Sequence, residues 1–530
     1  MSSVSRREFL KRASAQALGT YGVSFAMARS CCSAARDKRR SQPNILFAIA
    51  DDWSYPHASA YGANGVKTPT FDRLAREGCL FTNAFAAAPQ CSPNRAAALT
   101  GLNIWQLEEA GTHSSIFPSK FVVFPDLLEA AGYHVGFTGK GWSPGDWKRG
   151  GRRRNPAGPE YNAVALQTAS ASGISKLDYP ANFDHFLKAR PRTPFFFWFG
   201  AHEPHRTYEP GSGLRSSKSL EHAPLPSFLP DDSAVRSDVL DYLLEVEWFD
   251  SQLGTMLTRL EDLGELDNTI VVVTSDNGMP FPRAKANLYE YGTHVPLVVR
   301  WPERISAGRT VDKLVSFVDF APTFLEAADE PTPSEMTGKS FLGFAAEMES
   351  PLAPEHDYVL TGRERHTHAR YDNLGYPSRA IRTHGFLYIR NLKPDRWPAG
   401  DPEGYYDVDD SPTKTLMLER RHDYPELFEW AFGKRSEEEL YDIGNDPACL
   451  RNLALVRDYD EERRRLRTRL MCILTEQKDP RALGVEDIFE SYPRFGTMRP
   501  ELGGFSKEGK YNPAYQPRSK SRSHRDAKKE

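Results

Sequence analysis

The sequence predicts an α/β protein: a large doubly wound mixed sheet flanked by helices, followed by a smaller C-terminal α+β subdomain carrying an antiparallel sheet. Three observations predict it. Short apolar runs recur and each ends in polar residues, helical patterns lie between the runs, and after Leu360 closely spaced alternating strands replace that rhythm. In order along the chain, NILFAIA at Asn44 to Ala50 is a run of the kind buried on both faces of a parallel sheet, and it ends in Asp51-Asp52. Pro69 to Glu77 reads as a helix opened by proline and closed by Gly78, and Pro125 to Ala131 as another closed by Gly132. Tyr133 to Thr138 runs into Gly139-Lys140, and Phe195 to Phe199 runs into His202-Glu203-Pro204-His205. A long helical pattern from about Ala234 to Leu263 precedes Thr269 to Thr274, which ends in Ser275-Asp276-Asn277-Gly278. In the C-terminal part, Ala380-Ile381-Arg382 and Phe386 to Arg390 read as antiparallel strands joined through Thr383-His384-Gly385, with a helix from about Arg451 to Thr475.

Composition bounds the function. The 530 residues carry Lys+Arg 68 against Asp+Glu 71, a formal charge of -3, which excludes a positively charged coat for nucleic acid. No apolar run approaches the roughly 20 residues that a membrane-spanning helix needs. The expected organisation is a signal peptide over 1–28, a linker over 29–42, a catalytic domain over 43–355, a C-terminal subdomain over 356–480, an extension over 481–517 and a disordered basic tail over 518–530. Ser5-Arg6-Arg7-Glu8-Phe9-Leu10-Lys11, a mildly apolar stretch and Ala26-Met27-Ala28 together resemble a bacterial twin-arginine export signal, which implies an exported, periplasmic product and the twin-arginine machinery as a partner. Such cargo crosses the membrane already folded. Cys31 and Cys32 adjoin the cleavage site, but Arg29 and Ser30 do not suit a lipobox; Cys79, Cys91, Cys449 and Cys472 make no disulfide framework.

Ligands of doubly wound sheets bind beyond the carboxyl ends of the strands. Here those ends carry two aspartates, a lysine, two histidines and an Asp-Asn pair. Each alone has an ordinary reading as a turn, helix cap or loop residue, and their convergence is the signal. Asp51, Asp52, Asp276 and the amide oxygen of Asn277 offer a hard divalent cation an oxygen cage; Ca2+ is the first expectation, with Mg2+ or Mn2+ behind it. Cys91-Ser92-Pro93-Asn94-Arg95 then reads as a loop entering an alanine-rich helical turn, where a nucleophile meets the positive end of a helix dipole and Arg95 adds charge beside an anion.

The pattern C-x-P-x-R-x-x-x-x-T-G from Cys91 to Gly101 resembles the signature of the sulfatases. Asp51-Asp52, Gly139-Lys140, His202 and Asp276-Asn277-Gly278 follow in the family's order, and Glu439-Leu440-Tyr441-Asp442, Asp446-Pro447 and Asn452-Leu453-Ala454 are similar to its carboxy-terminal block. The histidine-rich segment Ala201 to Arg206 and Asn277 to Pro282 with Asn287-Leu288-Tyr289 look most similar to heparan N-sulfatase, also called sulfamidase. The resemblance implies that a formylglycine-generating enzyme oxidises Cys91 to formylglycine, whose hydrate carries two hydroxyls: one attacks sulfur from the metal, and the other expels sulfate. Cys91 then joins Asp51, Asp52, Asp276 and Asn277 at the metal. Arg95, Lys140 and Lys285 are implied to hold sulfuryl oxygens, and His202 to protonate the leaving group. One departure stands out: many members carry a histidine two residues beyond the lysine, where this chain has Trp142. His113 is either its substitute or an ordinary loop histidine.

Substrate contacts are expected from His205 and from the donor-rich stretch Gly362 to Arg370, with Arg365, His366 and Arg370 as forks for sulfates and carboxylates; the alternative is a solvated charged loop. Trp142, Trp147 and Tyr208 offer faces either to the core or to sugar rings, and Arg152-Arg153-Arg154 is a basic loop or a lure for polyanions. The predicted function is removal of N- or O-sulfate from a sulfated glycan such as heparan-type glucosamine. The alternatives are a phosphomonoester or phosphodiester hydrolase using the same geometry, and a catalytically silent glycan-binding protein.

Overall fold

The computed structural model describes residues 42–169, 171–346, 356–485, 488–499 and 502. The export signal expected over 1–28, nearly all of the linker, the boundary near 355, most of 481–517 and the basic tail lie outside the described residues.

An eight-stranded mixed sheet forms the centre. Its strands are β1 (Asn44–Ala50), β2 (Cys79–Phe85), β3 (His134–Gly139), β4 (Phe195–Gly200), β5 (Thr269–Ser275), β6 (His294–Arg300), β7 (Arg309–Val311) and β8 (Val315–Ser316), in the order β3-β4-β1-β5-β6-β2-β7 with β8 also paired to β2. The half running β3-β4-β1-β5 is parallel. β6 then turns antiparallel to both β5 and β2. Neither β2 nor β6 stands out in the sequence. β2 carries Thr82-Asn83 amid its apolar residues, and its pairing with β6 shifts register between Phe81 and Ala84, which blurs any simple period.

Every residue of β1 is buried, and its alternation divides two cores. Ile45, Phe47 and Ile49 pack with helices α2 (Cys91–Thr100), α3 (Phe124–Ala130) and α6 (Phe320–Ala327), whereas Leu46, Ala48 and Ala50 pack with α1 (Pro69–Glu77), α4 (Tyr179–Ala189) and α5 (Ser233–Asp262). Full burial of each large apolar side chain contributes about 1.5–3 kcal/mol, so the central strand cannot slip by one residue without inverting both faces.

That fixed register positions the chemistry. Ala50 pairs with Ser275, so Asp51 and Asp276 leave the sheet side by side. The backbone laces the strand ends together: Asp276 N–H donates to Ala50 O (3.1 Å), and Asp51 N–H to Glu203 O (2.9 Å).

A second sheet, antiparallel in the order β12-β11-β10-β9, is built from β9 (Val359–Arg363), β10 (Ser378–Arg382), β11 (Phe386–Asn391) and β12 (Glu438–Asp442). Ile381, Tyr388 and Leu440 join the same apolar cluster as Phe47, together with Leu466 and Leu470 of α7 (Asp460–Glu476). The helix expected from Arg451 therefore starts later. Leu453 N–H donates to Leu440 O (2.8 Å), and Asn452 Oδ1 accepts from Leu440 N–H (3.0 Å) and Ala454 N–H (2.9 Å), which holds this stretch along β12 in place of a helical turn.

Candidate active site

The cage stands at the carboxyl ends of β1 and β5. One ligand atom each from Asp51, Asp52, Cys91 and Asp276 lies within 4.8 Å of all the others, and all four residues are buried. Asp52 occupies the left-handed region (φ 79°), tied by its N–H to Asp276 Oδ1 (3.2 Å). Asn277 Nδ2 donates to Asp52 Oδ1 (2.6 Å), while its Oδ1 is buried without a hydrogen-bond partner. Such an orphaned acceptor costs about 1–3 kcal/mol unless something fills its lone pairs. A hard cation would do so, and the donor set of carboxylate and amide oxygens fits one. In the protein alone, burial and the charge of Asp51 push Asp276 up to about 6. Against its own burial, Asp51 is held well below the carboxylate range by Lys140, His205 and Arg95.

Cys91 is the first residue of α2, after Gln90 in extended conformation, and is 1% exposed. Its thiol donates to Asp51 Oδ1 (3.3 Å), and burial together with Asp51 pushes its pKa far up, so the unmodified side chain is a protonated, inert thiol. Asn94 fixes the turn by accepting from Ala87 N–H (2.8 Å) and donating to the Asp276 carbonyl. One turn along α2, the fully buried Arg95 donates through Nε to Asp276 Oδ2 (2.8 Å) and through Nη1 to Lys140 O (2.6 Å). Its Nη2, 4.0 Å from Asp51 Oδ1, has no hydrogen-bond partner. The buried site thus keeps one open donor, beside Asp51, and one open acceptor, on the residue bonded to Asp52.

Two lysines complete the charge pattern. Lys140 Nζ lies 2.5 Å from Asp51 Oδ2, and Lys285 Nζ 2.7 Å from Asp52 Oδ2 and 3.3 Å from Asp409 Oδ2. Although burial opposes it, these carboxylates keep both ammonium groups protonated. They open on a cavity of 710 Å³ that also receives Cys91, His202 and His205. Burial and then the charge of Lys140 push His202 down to about 4. The half-buried His205 stands 3.9 Å from Asp52 Oδ2.

Of the other sequence candidates, His113 and His366 line the cavity, with rings 4.5 Å apart. His113 Nδ1 lies 3.2 Å from the His366 carbonyl; since a carbonyl only accepts, Nδ1 carries the proton and Nε2 presents a lone pair. Trp142 is fully buried, donating to Ser92 O (2.9 Å) edge-on to Phe117, and Tyr208 donates to Pro204 O (2.6 Å) from the core. Arg152 and Arg154 are pinned to Asp126 (3.3 and 2.8 Å).

The expectation for Arg365 and Arg370 is overturned. Both are buried; Arg365 donates to Tyr492 O (2.9 Å) and Pro493 O (3.1 Å), and Arg370 pairs with Asp407 (2.7 Å), so neither reaches the cavity as a fork. The arginines of the stretch serve the fold, because a buried guanidinium needs acceptors, and these find them on Asp407, Tyr492 and Pro493. Sequence reasoning missed Asp409, which does line the cavity. In the sequence it is one member of the ordinary acidic run Asp407-Val408-Asp409-Asp410.

Comparison with known proteins gives the geometry a context. The sulfatase family model matches residues 43–330. The chain is 30% identical over 497 residues to the N-sulphoglucosamine sulphohydrolase of Homo sapiens, covering 85% of this chain and 94% of that one. It is 28% identical over 471 residues to an ulvan-active sulfatase of Formosa agariphila, covering 83% and 76%. A solved structure in complex with its substrate D-glucosamine-2-N,6-O-disulfate superposes with a TM-score of 0.62 at 22% identity, covering 83% of this chain and 98% of that one.

Proposed function

The chain belongs to the sulfatase family, and we propose that within it this hydrolase removes sulfate from a sulfated glycan, with N- or O-sulfated glucosamine as the substrate class. The observation that carries the reading is the unfilled Arg95 Nη2 donor beside Asp51 together with the unfilled Oδ1 acceptor of Asn277, the residue bonded to Asp52, in the same buried cage as Cys91. The first suits a sulfuryl oxygen and the second a cation. The similarity to a glucosamine N-sulfohydrolase supports the choice of sugar.

When bound, a divalent cation, Ca2+ in this proposal, together with formylglycine at position 91 supplies a hydroxyl nucleophile of lowered pKa and an electrophilic clamp for sulfur. The chain's own residues do the rest. Lys140, Lys285 and Arg95 Nη2 hold the sulfuryl oxygens and stabilise the charge that develops on them. His202 donates the proton to the departing oxygen or nitrogen. Without a bound anion its imidazole is neutral at pH 7; a bound sulfate offsets the cations Lys140 and Arg95 and so returns the proton to it. His113, with Nδ1 committed to a carbonyl, offers Nε2 as the proton acceptor for turnover, a place that the buried Trp142 cannot fill. Export through the twin-arginine route belongs to the same proposal, since a protein crossing folded can be oxidised at Cys91 beforehand.

Two measurements test it. Initial rates on paired aryl sulfate and aryl phosphate should favour sulfate, and peptide mass spectrometry across residue 91 of active protein should find formylglycine. A dominant phosphatase rate, or an unmodified thiol in active protein, refutes the reading.

A further inference from the structure

The cavity that binds an anion also carries an acid it does not need for that purpose. Among the described residues lining it, Asp51 and Asp409 are the carboxylates, and Asp51 belongs to the cation cage. Asp409 stands outside the cage. Its Oδ2 lies 3.3 Å from Lys285 Nζ but is buried without completing a hydrogen bond. Burial opposes ionisation, yet Lys285, His205 and His366 hold the carboxyl down to about 2, so it is an acceptor and never a donor at working pH. Lys285 touches Asp52 and Asp409 at once, which sets this acceptor beside the place where sulfate binds.

The surrounding structure fixes it there. Asp407, two residues earlier, is clamped by Arg363 (2.9 Å), Arg370 (2.7 Å) and the N–H and hydroxyl of Thr367 (3.0 and 2.9 Å). From the other side Lys414 Nζ donates to Val408 O (2.9 Å) and Asp410 Oδ1 (2.8 Å). Arg363 and Arg370, which do not line the cavity themselves, therefore serve to hold the segment that does. Rigid support on both sides is what a recognition group requires and what a solvated acidic loop lacks.

We infer that Asp409 reads the sugar: its carboxylate accepts a hydrogen bond from a hydroxyl or amino group of the ring whose sulfate sits at Lys140, Arg95 and Lys285, and Asp407 is its positioning residue. The inference rests on the sulfatase reading above. A carboxylate that repels the sulfate itself and attracts ring donors orients the substrate with the sulfate toward Cys91. It also discriminates against sulfate esters whose leaving group offers no donor.

The test compares kcat/KM on a sugar sulfate, glucosamine 6-sulfate or N-sulfoglucosamine, with kcat/KM on p-nitrophenyl sulfate, in wild type, Asp409→Asn, Asp409→Ala and Asp407→Asn. Inhibition by inorganic sulfate is measured in parallel, and thermal unfolding checks each fold. In both Asp409 variants the ratio of sugar to aryl kcat/KM should fall at least about tenfold, as expected for a lost charged hydrogen bond. Asp407→Asn should move the ratio in the same direction. A ratio that stays constant in the folded Asp409 variants, with both substrates affected alike, overturns the inference and leaves Asp409 as a partner of Lys285. If wild type cleaves the sugar sulfate but not the aryl ester, the same decision is read from sugar kcat/KM against the inhibition constant for sulfate, which should change far less. A wild type that cleaves no sulfate ester or sulfamate refutes the sulfatase reading itself, before any variant is compared.

Discussion

Glu290→Gln isolates the contact that ties the second sheet to the active-site loop. Glu290 follows the loop bearing Asn277 and Lys285 and is 7% exposed. It accepts from Arg382 of β10 (2.7 Å) and faces His294 Nδ1 (3.1 Å), whose Nε2–H donates to Thr82 O (2.9 Å). Burial works against the carboxylate, but Arg382 and His294 prevail and hold it down to about 2 from an ordinary 4.5. A group whose pKa is depressed on folding contributes stability above its unfolded pKa and loses it as the pH falls toward the folded one. At about 1.4 kcal/mol per pH unit, the shift is worth about 3 kcal/mol at pH 7, a large share of the about 5–15 kcal/mol that holds a typical domain. Gln keeps the shape and one acceptor while removing the charge. Urea unfolding of both proteins at fixed Ca2+ should show a gap of about 3 kcal/mol at pH 7, persisting to about pH 4.5 and closing toward pH 2. Turnover per folded molecule should remain close to wild type, because Glu290 does not line the cavity. Equal stabilities at pH 7, or a gap that does not change with pH, would show that the ionised pair does not hold these elements together.

Removal of divalent cations by a chelator should lower the unfolding midpoint, and Ca2+ at a hundredfold over its Kd should restore about 2.7 kcal/mol; a midpoint indifferent to both argues against the cage. With His202 as the proton donor, the alkaline limb of kcat should lie at higher pH than that of kcat/KM, since bound sulfate raises its pKa, and His202→Asn should abolish that limb; coincident limbs contradict the role. Arg365→Met should cost about 1–3 kcal/mol of stability with KM unchanged, whereas a raised KM in a stable protein would restore it as a substrate contact. Trp142→His should lose stability, by less than the about 3–5 kcal/mol typical of a buried Trp→Ala change, without gaining turnover, because the side chain packs against Phe117 and Ser92, and faster turnover would show that it reaches the cavity.

What could be read in the sequence depended on whether a residue's partner was implied by position. Asp51, Asp52, Asp276 and Asn277 were legible because a strand's carboxyl end is a place that periodicity alone can locate, and parallel neighbours bring such ends together whatever the register's details. Lys140 and His202 followed by the same rule. Arg365, Arg370 and Asp409 were not legible, because nothing in the local pattern says whether a charged loop residue faces solvent, cavity or interior. That depends on Asp407, Tyr492 and Lys285, which lie far away in the chain or on another element. The same limit applies to β2 and β6, whose antiparallel pairing joins segments remote in the chain and is interrupted by a register shift. The consequence reaches beyond this chain's fold: a strand-end cage announces the reaction, while the group that selects the sugar sits on a segment whose own supports are remote. Specificity can therefore change by altering Asp409 or its clamp while the cage residues and their sequence pattern stay as they are.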